Sequence, residues 1–135
     1  MNRLQSLYQS ADRLGLQVQY FHFRTQSAIS TPDGFIGIDP EKVSSDAREL
    51  VCLAHEMGHC LTGTFYTLES DATRRRRCEE RANRWAMDSL VPLPELKLLL
   101  EKGITEPHEL AEHFGVPEDF LRRCLDYYHE AKGAW

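Results

Sequence analysis

The chain has 135 residues, enough to bury a core without disulfide or metal staples. Apolar residues make up 41% and charged ones 27%, an ordinary globular balance. With 16 basic against 21 acidic side chains the net charge is −5, which excludes indiscriminate attraction to nucleic acid or anionic membrane.

No run nears the roughly 18 apolar residues of a membrane span, and Met1 to Ser6 lack a signal-peptide core, so a cytoplasmic location is expected. Leu4, Leu7, Tyr8, Ala11 and Leu14 recur at helical spacing, with Gly15 as the stop. Leu16 to Phe23 alternates, placing Leu16, Val18, Tyr20 and His22 on one strand face. Ala28-Ile29 and Phe35 to Ile38 read as short strands around the turn Thr31-Pro32-Asp33-Gly34. A small antiparallel sheet is expected, with an edge near Phe35–Ile38 open to an extended peptide. Ser45 or Asp46 caps the next helix, with Glu49 placed for a capping box behind Asp46, and Gly63 ends it. A polar connection from Thr64 to Thr73 leads to a long helix that stops before Pro92. Three shorter helices follow: Pro94 to Gly103, one capped by Thr105 and stopped at Gly115, and one opened by Pro117. The reading is one domain over 1–135: helix and sheet in 1–40, two long helices in 45–92, a helical tail in 94–135.

Within the first long helix stands His55-Glu56-Met57-Gly58-His59. Histidines four apart project from one helix face, about 40° from each other, so both imidazoles can reach one tetrahedral Zn²⁺. Glu56 lies one step round, placed to take a proton from a water that the metal acidifies, as in HExxH metalloproteases. A catalytic zinc needs a third protein ligand, and Glu79 fits best. It opens the stripe Glu79, Ala82, Asn83, Ala86, Leu90, whose small residues let two helices approach closely. Gly58 agrees, since a mid-helix glycine costs about 1 kcal/mol relative to alanine and its presence suggests that packing excludes a side chain. Glu80 points about 100° away, and Glu69 and Asp71 in the connection are weaker candidates. Cys52, Cys60, Cys78 and Cys124 contain no CxxC pair and are read as packed thiols rather than ligands. The run Arg74 to Arg77 is read as a solvated face in preference to an acidic partner's site.

Leu53-Ala54-His55-Glu56-Met57-Gly58-His59, then Glu79-Glu80-Arg81-Ala82-Asn83-Arg84-Trp85-Ala86 and Leu90-Val91-Pro92, resemble the two signature blocks of the ImmA/IrrE family. Trp85 stands where Phe is usual and Ser89 where Leu is common, and the clear likeness covers about residues 35–92. The resemblance implies a minimal gluzincin-like α+β domain, its sheet packed on the HExxH helix and a Glu-bearing helix. It further implies His55, His59 and Glu79 as Zn²⁺ ligands, Glu56 as catalytic base and Asn83 beside the metal. The implied activity is zinc-dependent endopeptidase, cleaving a helix-turn-helix repressor to derepress a phage or mobile element. An acidic surface suits a basic protein partner.

Tyr66, His22 and His113 are open candidates for an oxyanion donor. Two other functions compete with peptide hydrolysis. One is a non-proteolytic antirepressor with a structural zinc. The other is DNA binding through residues 105–128, which read as helix, glycine turn, helix. Pro117-Glu118-Asp119 at the start of the would-be recognition helix repels phosphate, so packing or repressor docking is favoured there.

Overall fold

The computed structural model describes residues 1–134. Its elements run α1 (Arg3–Arg13), β1 (Gln17–Tyr20), β2 (Ala28–Ser30), β3 (Phe35–Ile38), α2 (Asp46–Thr62), α3 (Ala72–Leu90), α4 (Leu93–Glu101), α5 (Pro107–Phe114) and α6 (Glu118–Glu130). This is the small α+β domain expected. The chain divides into two compact units, residues 1–86 and the residues from Met87 onward.

In the first unit α1 starts on a capping box. The Asn2 side chain accepts from the Gln5 amide at 2.8 Å, and the Gln5 side chain accepts from the Asn2 amide at 3.0 Å. The sheet order is β1-β3-β2, with β3 central. Here the structure corrects the all-antiparallel expectation. β2 pairs antiparallel with β3, but β1 pairs parallel with it, Gln17 to Tyr20 opposite Phe35 to Ile38. The chain leaving Tyr20 crosses the end of β3 to reach β2 on the far side, and Asp39 pins that crossing. Its carboxylate accepts from the Phe23 amide at 2.9 Å and the Glu41 amide at 3.0 Å, and its own amide donates to the Ser27 carbonyl at 2.8 Å. The Lys42 ammonium, 2.8 Å away, and these amide bonds hold the Asp39 carboxyl well below the usual carboxylate range. With both sides of β3 paired, Phe35–Ile38 is not an edge; β1 and β2 are.

The β2–β3 turn behaves as its sequence requires. The Gly34 amide donates to the Thr31 carbonyl at 3.0 Å, and Gly34 takes φ +90°, a left-handed value favouring glycine. Ile36 and Ile38 bury against Leu53 and Met57 of α2 and Ala11 of α1, with Val18 and Trp85 packed beside them. Burying each large aliphatic side chain contributes about 1.5–3 kcal/mol, so this cluster holds α2 to the sheet.

Ser45, not Asp46, caps α2, accepting from the Arg48 amide at 3.2 Å. Glu49 is therefore free of a capping box and does something else. It is buried and accepts from the Tyr8 hydroxyl at 2.5 Å and the Tyr20 hydroxyl at 3.0 Å, tying α1 and β1 to α2. Asp71 caps α3 by accepting from the Arg74 amide at 2.7 Å.

The second unit is built on Leu96, Leu99, Leu110, Phe114, Phe120 and Leu121. Tyr128 is buried there, and its hydroxyl donates to the Val91 carbonyl at 2.6 Å. α5 is entered at Glu106 with Pro107 in its first turn, so Thr105 is not its cap. Gly115, at φ +71°, ends α5, and Pro117 precedes α6.

Candidate metal centre

Helix α2 presents His55 and His59 one turn apart, and α3 brings Glu79 against both. His59 Nε2 lies 2.6 Å from Glu79 Oε2, His55 Nε2 lies 3.3 Å from Glu79 Oε1, and the two Nε2 atoms are 3.1 Å apart. Their convergence depends on a close helix approach at Gly58. A Cβ built there would sit 2.6 Å from the Ala82 carbonyl oxygen and 3.1 Å from its Cα, well inside contact distance.

Each imidazole is fixed from behind. His59 Nδ1 is 2.6 Å from the Thr64 carbonyl, which can only accept, so the neutral ring carries its proton on Nδ1 and a lone pair on Nε2. His55 Nδ1 donates to Asn83 Oδ1 at 2.7 Å, with the same consequence. Two imidazole lone pairs and a carboxylate thus face one another within 4.8 Å. A shared divalent cation reconciles three electron-rich groups at that spacing, so the donor set fits a metal with nitrogen and oxygen ligands.

A cleft of about 280 Å³ opens over these atoms, walled by Ala28, Ile29 and Ser30 of β2 and by Phe65 and Tyr66. Glu56 also lines it, and the Ser30 hydroxyl donates to Glu56 Oε1 at 2.6 Å. The Tyr66 ring stands 6.5 Å from the His59 ring. Burial, and then the Glu79 carboxylate, raise the Tyr66 hydroxyl above the ordinary tyrosine value.

The model of the IrrE N-terminal-like domain, peptidase family M78, matches residues 11–126. The chain belongs to this family. No curated protein and no solved structure matches it. Membership supports a metallopeptidase-type function, and the matched span of this M78 domain runs across both compact units.

The M78 domain assembles His55, Glu56, His59, Glu79 and Asn83 in one place. Glu69 and Asp71 stay outside the donor group, Asp71 being committed to its cap. Glu80 pairs with Arg76 at 3.8 Å instead. The four cysteines are free thiols outside the donor group, and burial pushes the Cys60 thiol up to about 11. Of the three oxyanion candidates only Tyr66 reaches the cleft; His22 lies beside Asp39 and Glu41, and His113 beside Glu95. His22, Asp39 and Glu41 also converge, but Lys42 already neutralises Asp39. No described helix is long and apolar enough to cross a membrane.

Thr64 and Ser30 are the site residues that sequence reasoning missed. Thr64 had a legible signal: Gly63 caps α2 at φ +65°, turning the chain back so that the next carbonyl meets His59. Ser30 had none, because its place beside Glu56 depends on sheet order.

Proposed function

We propose that this protein is a cytoplasmic zinc-dependent endopeptidase in which His55, His59 and Glu79 hold the metal and Glu56 is the general base. The observation that carries the reading is the pair of Nε2 lone pairs facing Glu79, each set by a proton acceptor behind its ring, with Glu56 in the same cleft. A zinc held by His55, His59 and Glu79 would supply Lewis acidity, lowering the pKa of water toward about 7 and polarising the scissile carbonyl. Glu56 accepts the proton of the attacking water and delivers it to the leaving amine. Ser30 holds one carboxylate oxygen of Glu56 in place and leaves the other for that proton. Tyr66 donates to the developing oxyanion from the cleft wall.

The peptide enters along β2, whose outer edge the sheet leaves unpaired and whose Ala28, Ile29 and Ser30 wall the cleft. Strand addition there supplies main-chain hydrogen bonds and lays the scissile bond across the donor group. The substrate class put forward is a helix-turn-helix repressor, whose loss derepresses a phage or mobile element; this rests on the family resemblance. Direct DNA binding is disfavoured, since Glu118 pairs with Arg122 at 2.9 Å and Arg123 lies over the Phe120 ring at 5.9 Å.

The deciding experiment is Glu56→Gln, assayed for bound zinc and for cleavage of a co-expressed repressor. Zinc is expected to remain at wild-type stoichiometry while cleavage falls at least about 100-fold, the scale of a lost general base. Undiminished cleavage ends the mechanism. Repressor inactivation without new fragments, unaffected by the substitution, replaces it with a non-proteolytic antirepressor.

A further inference from the structure

A second cavity, of about 440 Å³, lies in the first unit. Arg74, Arg77, Cys78 and Arg81 of α3 line it, together with Asp71 and Thr64. Thr64 also walls the metal cleft, so the two spaces share a boundary. The segment 64–66 forms that boundary. Phe65 and Tyr66 line the metal cleft, while the Phe65 carbonyl accepts from Arg74 Nη2 at 3.5 Å and Cys78 Sγ at 3.8 Å, both residues of the second cavity.

The arginines are all exposed but differ in their partners. Arg76 pairs with Glu80 at 3.8 Å along the helix, and Arg84 Nε reaches the Glu80 carbonyl at 3.4 Å. Arg77 and Arg81 have no ion pair among the described residues. They stand one turn apart on one helix face, where like charges repel. In a chain of net charge −5 this is a local excess of unpaired positive charge facing a cavity. Asp71 offsets little of it, since one of its oxygens already accepts from the Arg74 amide.

We propose that this cavity is a recognition subsite for carboxylate side chains of the polypeptide substrate, reading acidic residues at alternate positions of an extended segment. The inference rests on the peptidase reading above. Arg74, Arg77 and Arg81 are strung along the helix, about 4.5 and 6 Å apart along its axis. Alternate side chains of an extended peptide recur every ~6.6–6.8 Å on one side, close to the step from Arg77 to Arg81. Each guanidinium can take a carboxylate in a two-bond fork, which adds direction to the charge.

The test uses two fluorogenic peptides of one sequence, with Glu or Gln at alternate positions beside the scissile bond. The wild-type chain is expected to show kcat/KM about tenfold higher for the Glu peptide, carried by KM. In R77Q/R81Q that ratio falls to near one, with zinc content and circular dichroism unchanged. Raising the salt should shrink the wild-type preference too, a reading independent of how the variant folds. Equal KM for both peptides in the wild type overturns the subsite and leaves the peptidase reading intact. Displacement of the Glu peptide by inorganic phosphate, with no difference in cleavage between the peptides, overturns it in favour of an anion-effector site. If no peptide is cleaved, binding of both to Glu56→Gln protein by fluorescence anisotropy separates the ideas. Arg-dependent preference for the Glu peptide then upholds the subsite and sinks the catalytic reading, and its absence sinks the subsite.

Discussion

Among the described residues, the buried polar and charged side chains Asp39, Glu49, His59 and Thr64 all belong to the first unit. The second unit buries aliphatic and aromatic groups, Cys124, and one tyrosine whose hydroxyl meets a carbonyl. An apolar core is non-directional and tolerates small shifts; a buried polar group must find its partner or cost about 1–3 kcal/mol. Every buried side-chain nitrogen and oxygen described here has such a partner. The first unit therefore holds its side chains by direction as well as by burial, which a site needing atoms placed within tenths of an ångström requires. The second unit is organised as a conventional core, and its stability has no comparable dependence on hydrogen-bond geometry.

Three substitutions probe that contrast, beginning with the largest effect. Leu121→Ala removes a fully buried side chain of the second unit and should cost about 2–5 kcal/mol in denaturant unfolding, with zinc stoichiometry of the folded protein preserved. Loss of zinc at full occupancy of the folded state would show that the two regions are not separable in this way. Asn83→Ala removes the acceptor behind His55 Nδ1 and should weaken zinc binding about 10–100-fold, the scale of an outer-shell partner, measured by competition with a chelator. Little change in unfolding midpoint is expected for the metal-free protein, because Asn83 is exposed. Both tyrosines donate to Glu49 Oε2, so Glu49→Gln keeps one oxygen able to accept from both but loses the charge, and should cost about 1 kcal/mol by thermal unfolding. A neutral result would mean that Tyr8 and Tyr20 gain nothing from the carboxylate that distinguishes this unit.

Much of the site was legible beforehand, for a local reason. His55, Glu56 and His59 lie within one turn and a step of a single helix, so spacing alone sets their faces. Glu79 was reachable because Gly58, Ala82 and Ala86 announce a close helix approach, and the Gly58 to Ala82 contact is as tight as those small residues require. Where reading failed, a local pattern had two long-range outcomes. Glu49 suited a capping box until Ser45 took the cap and two tyrosines from α1 and β1 claimed the carboxylate. The arginine run is exposed as expected, and only the structure shows that Arg76 pairs with Glu80 while Arg74, Arg77 and Arg81 line a cavity.

By itself the sequence determined the helix faces, the glycine turns at Gly34, Gly63 and Gly115, and the family, because periodicity and positive-φ positions are properties of neighbouring residues. The tertiary structure alone decided that β1 runs parallel to β3, that β2 is an edge strand beside the candidate metal centre, and that Ser30 meets Glu56 and Thr64 meets His59. Strand alternation is the same for either direction of pairing, and a hydrogen-bond partner distant in the chain leaves no mark in the local pattern. Those choices were made where the chain folds back on itself, by Asp39 at the crossing and by the cluster of Ile36, Ile38, Leu53 and Met57 beneath it.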